Sequence, residues 1–373
     1  MKLIFRGHED RYAVEQSLLA FFPEERPVYE PAEDGEDHAL VTLSRSPRYN
    51  TAVTTITYHG RTARGISRTA VDPQLTEYEA ERLRQKAVKL SFFKAARDIT
   101  GITPSWGALT GIRPGKLASR MLEEGMTERQ VERVLRDTYF VSPERRRLCI
   151  ETAEASRRAK AELKPEDISL YVGIPFCPTR CAYCSFVSQS VERSFSLVEP
   201  YVKALIAEIR SGGDMVRSNR LRPRAFYMGG GTPGILTPDQ MDAILTALEE
   251  SFDLSACPEI TVEIGRPDTI TAEKLAVLKS HGVTRVCVNP QTMEDHVLAA
   301  IGRRHVSADT VRAMELVRAY RFPHVNMDLI AGLPADTPEG FRRSLDKCLE
   351  LGADDITIHT LALKKGSRIL MED

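Results

Sequence analysis

The second half of this chain alternates short apolar strand-like runs with amphipathic helical stretches, and that alternation limits the fold more than any other feature. Strand runs are read at 169–174, 225–228, 259–264, 284–288, 325–330 and 355–359. Between them a 3.6-residue period predicts helices over 197–210, 238–251, 272–280, a pair across 296–320, and 339–351. Repeated βα units need crossovers, so the strands run parallel, the connections are right-handed and the helices cover the outside. Six strands with no closing partner predict an α/β fold, a partial (β/α)6 barrel. Chemistry in such a barrel gathers at the carboxyl ends of the strands.

The end of the first strand run carries the strongest chemical signal. The stretch SLYVGIPFCPTRCAYCSF sets Cys177, Cys181 and Cys184 in a C-x3-C-x2-C loop. Three thiols so close are too crowded for a disulfide staple, but they can wrap one inorganic centre. The remaining cysteines, Cys149, Cys257, Cys287 and Cys348, are isolated, and an odd total of seven fits a reducing compartment. Iron–sulfur clusters normally take four thiolates and structural zinc closes its shell with four N or S ligands. Three together leave two readings: a [4Fe-4S] cluster with one iron open to an outside ligand, or a zinc loop completed by a distant His or Cys.

Later strand ends carry further motifs. Met228-Gly229-Gly230-Gly231-Thr232-Pro233 follows the second strand; its glycines let the backbone approach a ligand, although a tight turn alone would use them too. Glu263 alternates with Val262 and Ile264 on the third strand, so its carboxylate points into the barrel mouth and needs a partner, a ligand or Arg285. Asn289-Pro290-Gln291-Thr292 ends the fourth strand with Arg303 beyond it, and the fifth closes in NMDLIAGLP, containing Asp328. The histidines His281, His296, His305, His324 and His359 are lone, hence packed or solvated; His359 alone sits at a strand end.

Upstream, a strand at 2–5, a helix over 12–22 and strand runs at 40–43, 52–58 and 61–67 predict a small α/β module across residues 1–70. Residues 71–165 read as a helical segment in which Lys and Arg outnumber Asp and Glu. Nothing aromatic is interleaved to stack on bases, so a solvated face is the reading and nucleic acid is disfavoured. The Gly-rich stretch 106–116 lacks a phosphate-loop ending and is expected to pack. Overall charge nearly cancels, with 51 Lys and Arg against 52 Asp and Glu. No apolar run is long enough for a bilayer, which predicts a cytoplasmic protein without a membrane partner.

Taken together, the cysteine loop, the glycine turn, Glu263, the Q-x11-R pair and N-x-D-L-I-x-G-L-P resemble the radical S-adenosylmethionine (SAM) superfamily. Within it they resemble the oxygen-independent coproporphyrinogen III oxidase-like group and its HemZ branch. The resemblance implies a [4Fe-4S] cluster on Cys177, Cys181 and Cys184 whose open iron chelates SAM. It also implies SAM contacts at Tyr171, Tyr183, Gly230, Gly231, Thr232, Glu263, Gln291, Arg303, Asp328 and Ala362. The implied activity is a coproporphyrinogen dehydrogenase, an oxidoreductase of porphyrin and haem biosynthesis that turns propionates into vinyls. Its partners would be a porphyrinogen substrate and an electron donor such as flavodoxin or ferredoxin.

Two departures bear on substrate. Oxidases of this group carry a fourth cysteine two residues after the third, and here that place is Phe186; the haem-chaperone branch shows the same replacement. The residues end at Asp373, just beyond the sixth strand, so residues 166–373 are expected to form the barrel without the family's C-terminal domain. A haem-binding or trafficking role, or radical chemistry on another carboxylate, stand as the alternatives.

Overall fold

The computed structural model describes residues 1–33, 35–109, 113–186, 188–362 and 367–369. The chain divides into two compact units, Met1–Leu163 and Lys164–Asp373.

In the first unit β1 (Lys2–Arg6), α1 (Arg11–Phe21), β2 (His38–Arg45), β3 (Tyr49–Tyr58), β4 (Arg61–Ala70) and α2 (Glu77–Thr100) share one core. The sheet order is β1-β2-β3-β4, with β1 parallel to β2 and the other pairs antiparallel. The expected break at residue 70 is not a boundary between compact units, because α2 lies on this sheet. A Cβ built at Gly65 of β4 would stand 2.0 Å from the Ser91 carbonyl oxygen of α2, so only glycine permits the approach. The Thr54 and Ser91 hydroxyls also bond across the contact at 2.8 Å. Then α3 (Pro114–Glu123), α4 (Glu128–Asp137) and α5 (Pro143–Ala161) enclose a smaller core around Val131, Leu135, Cys149 and Ala153. A capping box between Thr127 and Gln130 starts α4. Several arginines here form surface ion pairs, Arg146 with Glu132 and Arg157 with Glu154 among them. In the stretch 106–116 Trp106 packs against the small core, while 110–112 lie outside the described residues.

The second unit opens with β5 (Asp167–Ile174), the two-residue strands β6 (Phe176–Cys177) and β7 (Gln189–Ser190), and the single turn α6 (Val191–Ser194). It continues α7 (Val198–Ser218), β8 (Arg222–Gly230), α8 (Pro238–Ser251), β9 (Glu259–Gly265), α9 (Ala272–Ser280) and β10 (Arg285–Gln291). It closes with α10 (Asp295–Ala300), α11 (Ser307–Ala319), β11 (His324–Ala331), α12 (Pro338–Glu350) and β12 (Asp355–Thr360). The six long strands pair in parallel in the order β12-β11-β10-β9-β8-β5, a curled half-barrel with its two edge strands unjoined. Helix α7 runs past the expected stop at residue 210 because its two glycines serve packing. A Cβ on Gly213 would meet the Ser251 carbonyl oxygen at 2.6 Å.

Strand alternation sorts the side chains. Val172, Ile174, Phe226, Met228, Val262, Ile264, Val286, Val288, Met327 and Leu329 face the helices and build the core. Each such burial contributes about 1.5–3 kcal/mol. The intervening positions, Tyr171, Tyr227, Glu263, Asn289 and Asp328, are thereby left for the inner face. Among the described residues no helix is long and apolar enough to cross a membrane.

Candidate functional site

The cysteine loop is an excursion between β6 and β7, whose parallel pairing (Phe176 with Gln189, Cys177 with Ser190) closes its base. The glycine turn after β8 docks on its entrance: Gly231 N donates to Ile174 O at 2.7 Å and Thr232 N to Phe176 O at 2.8 Å. A Cβ on Gly231 would sit 2.6 Å from Phe176 O and 2.9 Å from Cys177 Sγ, so a side chain there would displace the loop. Thr232 Oγ1 donates to Cys177 Sγ at 3.5 Å.

The far side of the loop is held by residues that sequence reasoning did not single out. Arg266, 3% exposed at the end of β9, donates from Nη1 to Thr179 Oγ1 at 2.6 Å. Its Nε and Nη2 grip Asp268 at 3.0 and 2.8 Å. Thr179 Oγ1 in turn donates a hydrogen bond to Gly302 O at 3.2 Å, and Ala182 N donates to Ile301 O at 3.0 Å. Behind the clamp, burial followed by the Arg303 charge pushes His305 down to about 4, which keeps it neutral beside two arginines. The available signal was a charged residue directly after a strand-end glycine, Gly265-Arg266.

These elements surround a cavity of about 440 Å³. Into it converge Cys177, Cys181, Tyr183 and Cys184 from the loop, and Gly230, Gly231 and Thr232 after β8. Glu263 of β9, Gln291 of β10, Arg303, Asp328 of β11 and Ala362 after β12 complete the wall. Every position expected at the site lies here except Tyr171, which faces a neighbouring cleft. The cavity also takes in Tyr227, Asn289 and His359. A polar side chain on the inner face two or three places before a strand end would have found the first two.

Side-chain chemistry matches the placement. Glu263 accepts from Tyr227 OH at 3.1 Å and from Asn289 Nδ2 at 3.0 Å. Burial, with the nearby Asp328 charge second, raises its carboxyl to about 7. It makes no pair with Arg285, which sits instead near Glu259 (3.7 Å) and Asp355 (3.5 Å). Asp328 accepts from Asn326 Nδ2 at 2.6 Å, and Thr357 Oγ1 in turn donates to Asn326 Oδ1 at 2.9 Å. Arg303 donates to Asn289 O at 2.5 Å and to Tyr183 OH at 3.2 Å. Gln291 stands at φ 72°, strained for a residue with a Cβ. The ladder shifts register between Val288 and Gln291, and that irregularity re-aims the end of β10.

The residues fit an iron–sulfur cluster and a cationic nucleoside. Asn289 Oδ1 and Gln291 Oε1 are buried without a partner, and Glu263 is a carboxylate that a cation would ionise. Among the described residues no three His, Cys, Asp or Glu side chains are grouped around a single metal ion; a cubane instead takes each thiolate at its own iron. Burial pushes the thiol of Cys149 up to about 11 and those of Cys287 and Cys348 to about 12, as packed cysteines require.

Comparison with known proteins follows the same lines. Residues 171–348 match the family model of the radical SAM superfamily. The oxygen-independent coproporphyrinogen-III oxidase-like protein HemZ of Bacillus subtilis is 37% identical over 300 residues, 80% of this chain and 60% of the relative. The heme chaperone HemW of Lactococcus lactis is 33% identical over 196 residues, 52% of this chain and 49% of the relative. The chain therefore spans less than two thirds of the length of either. Among solved structures, the coproporphyrinogen III oxidase HemN of Escherichia coli is 26% identical, covering 59% of this chain and 54% of its own, with a TM-score of 0.49.

Proposed function

Through residues 171–348 this chain belongs to the radical SAM superfamily, whose cofactors are a [4Fe-4S] cluster and SAM, and on that premise we propose that it is a coproporphyrinogen dehydrogenase-like oxidoreductase. Its substrate in this reading is a porphyrinogen, two of whose propionate side chains each lose a β-hydrogen atom, CO2 and one last electron, the electron going to an outside acceptor, and become vinyls. When bound, the cluster and SAM supply one electron and a 5′-deoxyadenosyl radical able to take hydrogen from an unactivated carbon.

The chain's own residues do the holding and orienting. Cys177, Cys181 and Cys184 are the thiolates for three irons, and Thr232 donates to the first of them. Glu263, poised near 7, accepts the positive charge of an ammonium or the hydroxyls of a ribose. Gln291, Arg303 and Asp328 wall the remaining sides, and Tyr183 offers a ring to a nucleobase. An outside one-electron donor of the flavodoxin or ferredoxin type completes the proposal.

One observation supports it above the rest: Gln291, Arg303 and Asp328, far along the chain from the three cysteines, line the same cavity as they do. Anaerobic reconstitution with iron and sulfide, reduction and addition of SAM tests it. Formation of 5′-deoxyadenosine followed by consumption of coproporphyrinogen is expected. A colourless protein that holds zinc, or one that leaves SAM intact, sinks it.

Phe186 favours a second reading. It occupies the place of the oxidases' fourth cysteine and is 63% exposed at the loop's exit. Stoichiometric haem binding without coproporphyrinogen consumption would select a haem-binding role.

A further inference from the structure

A second cavity, of about 370 Å³, lies wholly inside the first unit and shares no residue with the cofactor cavity. Its volume falls in the range of small-molecule sites. Helix α2 supplies one wall: Glu79, Arg82, Leu83, Lys86, Lys89 and Leu90 recur at the three- and four-residue spacing of a single helical stripe. Leu75, Leu109 and Leu117 join Leu83 and Leu90 in an aliphatic lining. Tyr139 is there too, with Lys86 Nζ over its ring at 5.1 Å from the centroid. Among the described residues that line the cavity, four are cations, Arg82, Lys86, Lys89 and Arg120, and two are acids, Glu79 and Glu124. Both acids are engaged already. Glu79 accepts from Thr76 N at 2.9 Å and Thr76 Oγ1 at 2.7 Å in the capping box that starts α2, and Glu124 pairs with Arg120 at 3.4 Å. The lining is left net positive. Lys89 is half-buried in it, and burial lowers its ammonium from the ordinary value; an anion in the cavity would offset that cost.

We propose that this cavity binds a small amphipathic anion, an aliphatic chain ending in a single carboxylate or phosphate. The chain lies against the leucines, and the head sits among Arg82, Lys86 and Lys89. Leucine side chains, with the Tyr139 ring already capped by a lysine, favour an aliphatic body over a flat ring system. Net positive charge rejects a cationic ligand, and a bare inorganic anion would leave the leucines wet. Lysine and arginine stems often cover leucines by themselves. Here they leave about 370 Å³ unfilled between α2, α3 and Tyr139. The site needs neither iron nor SAM, so it stands apart from the chemistry assigned to the barrel.

The full chain, reconstituted and free of SAM, is titrated calorimetrically with octanoate and with octyl phosphate below their micelle concentrations. Octanol keeps the chain without the charge, and inorganic phosphate keeps the charge without the chain. One molecule of octanoate or octyl phosphate should bind per protein, about tenfold or more tightly than either control. The tighter of the two identifies the head. Lys89→Met, which keeps the side chain's length, and Arg82→Gln, at an exposed position, should each weaken anion binding about tenfold and leave octanol unchanged. Should Lys89→Met misfold by circular dichroism, Arg82→Gln decides. Octanol binding as tightly as octanoate would reduce the cavity to an apolar crevice, and phosphate binding as tightly would make it a plain anion site. Unchanged affinity in the variants would put the ligand elsewhere. Any of these results, or a wild type that binds neither amphiphile, overturns the proposal.

Discussion

Thr179→Val removes one hydroxyl from the clamp on the cysteine loop and adds almost no volume. Two bonds are lost: the charge-assisted one accepted from Arg266 Nη1 at 2.6 Å and the neutral one donated to Gly302 O at 3.2 Å. A bond to a charged group contributes about 1.5–3 kcal/mol and a neutral one about 0.5–1.5. Arg266 keeps both contacts with Asp268, so its charge is not stranded and the lower end of the range applies. The closed loop should lose about 2 kcal/mol, which raises its open population roughly 30-fold. Iron extraction by a chelator reads that population when opening is fast relative to capture. Reconstituted Thr179→Val should release iron about 30-fold faster than wild type at equal initial loading. Thr179→Ser, which keeps the hydroxyl, should stay close to wild type. A Val variant whose release rate lies within twofold of wild type would show that Arg266 does not hold the loop, and the clamp argument would fail.

Other outcomes follow from the same geometry. Because the folded protein holds the Glu263 carboxyl near 7 against an ordinary 4.5, ionising it costs the fold. The cofactor-free protein is therefore favoured below about 4.5 and loses up to about 3 kcal/mol as pH rises toward 7. Urea unfolding across that window should show the decline in wild type and a flatter curve in Glu263→Gln. Gly231→Ala, whose Cβ would meet Phe176 O at 2.6 Å and Cys177 Sγ at 2.9 Å, should fold with normal circular dichroism but take up little iron in reconstitution. Ser at Cys177, Cys181 or Cys184 should abolish the visible absorption of the cluster. Cys149→Ala, in the first unit, should leave it intact and cost only about 1–2 kcal/mol of stability.

Much of the barrel and its mouth could be read from the residues alone, because both depend on short-range periodicity. Alternation along a strand puts Glu263 opposite Val262 and Ile264 whatever the rest of the chain does, and a Thr127–Gln130 capping box starts a helix from four adjacent residues. The clustered cysteines are local in the same sense. The small module proved harder: α2 carries a helical period visible in the sequence, but the sheet it covers is set by Gly65 making room for Ser91.

Local pattern therefore determined the βα order, the inward face of each strand, and the strand ends where chemistry gathers. Only the packed chain decided what braces the cysteine loop and what opens beside it. Arg266 meets Thr179 across 87 residues of sequence, and Tyr171 finds Tyr227 only because β5 and β8 pair in a register that sets them side by side. Periodicity acts within a few residues, whereas hydrogen-bonded clamps and stacked rings form between segments that come together only once the core has closed.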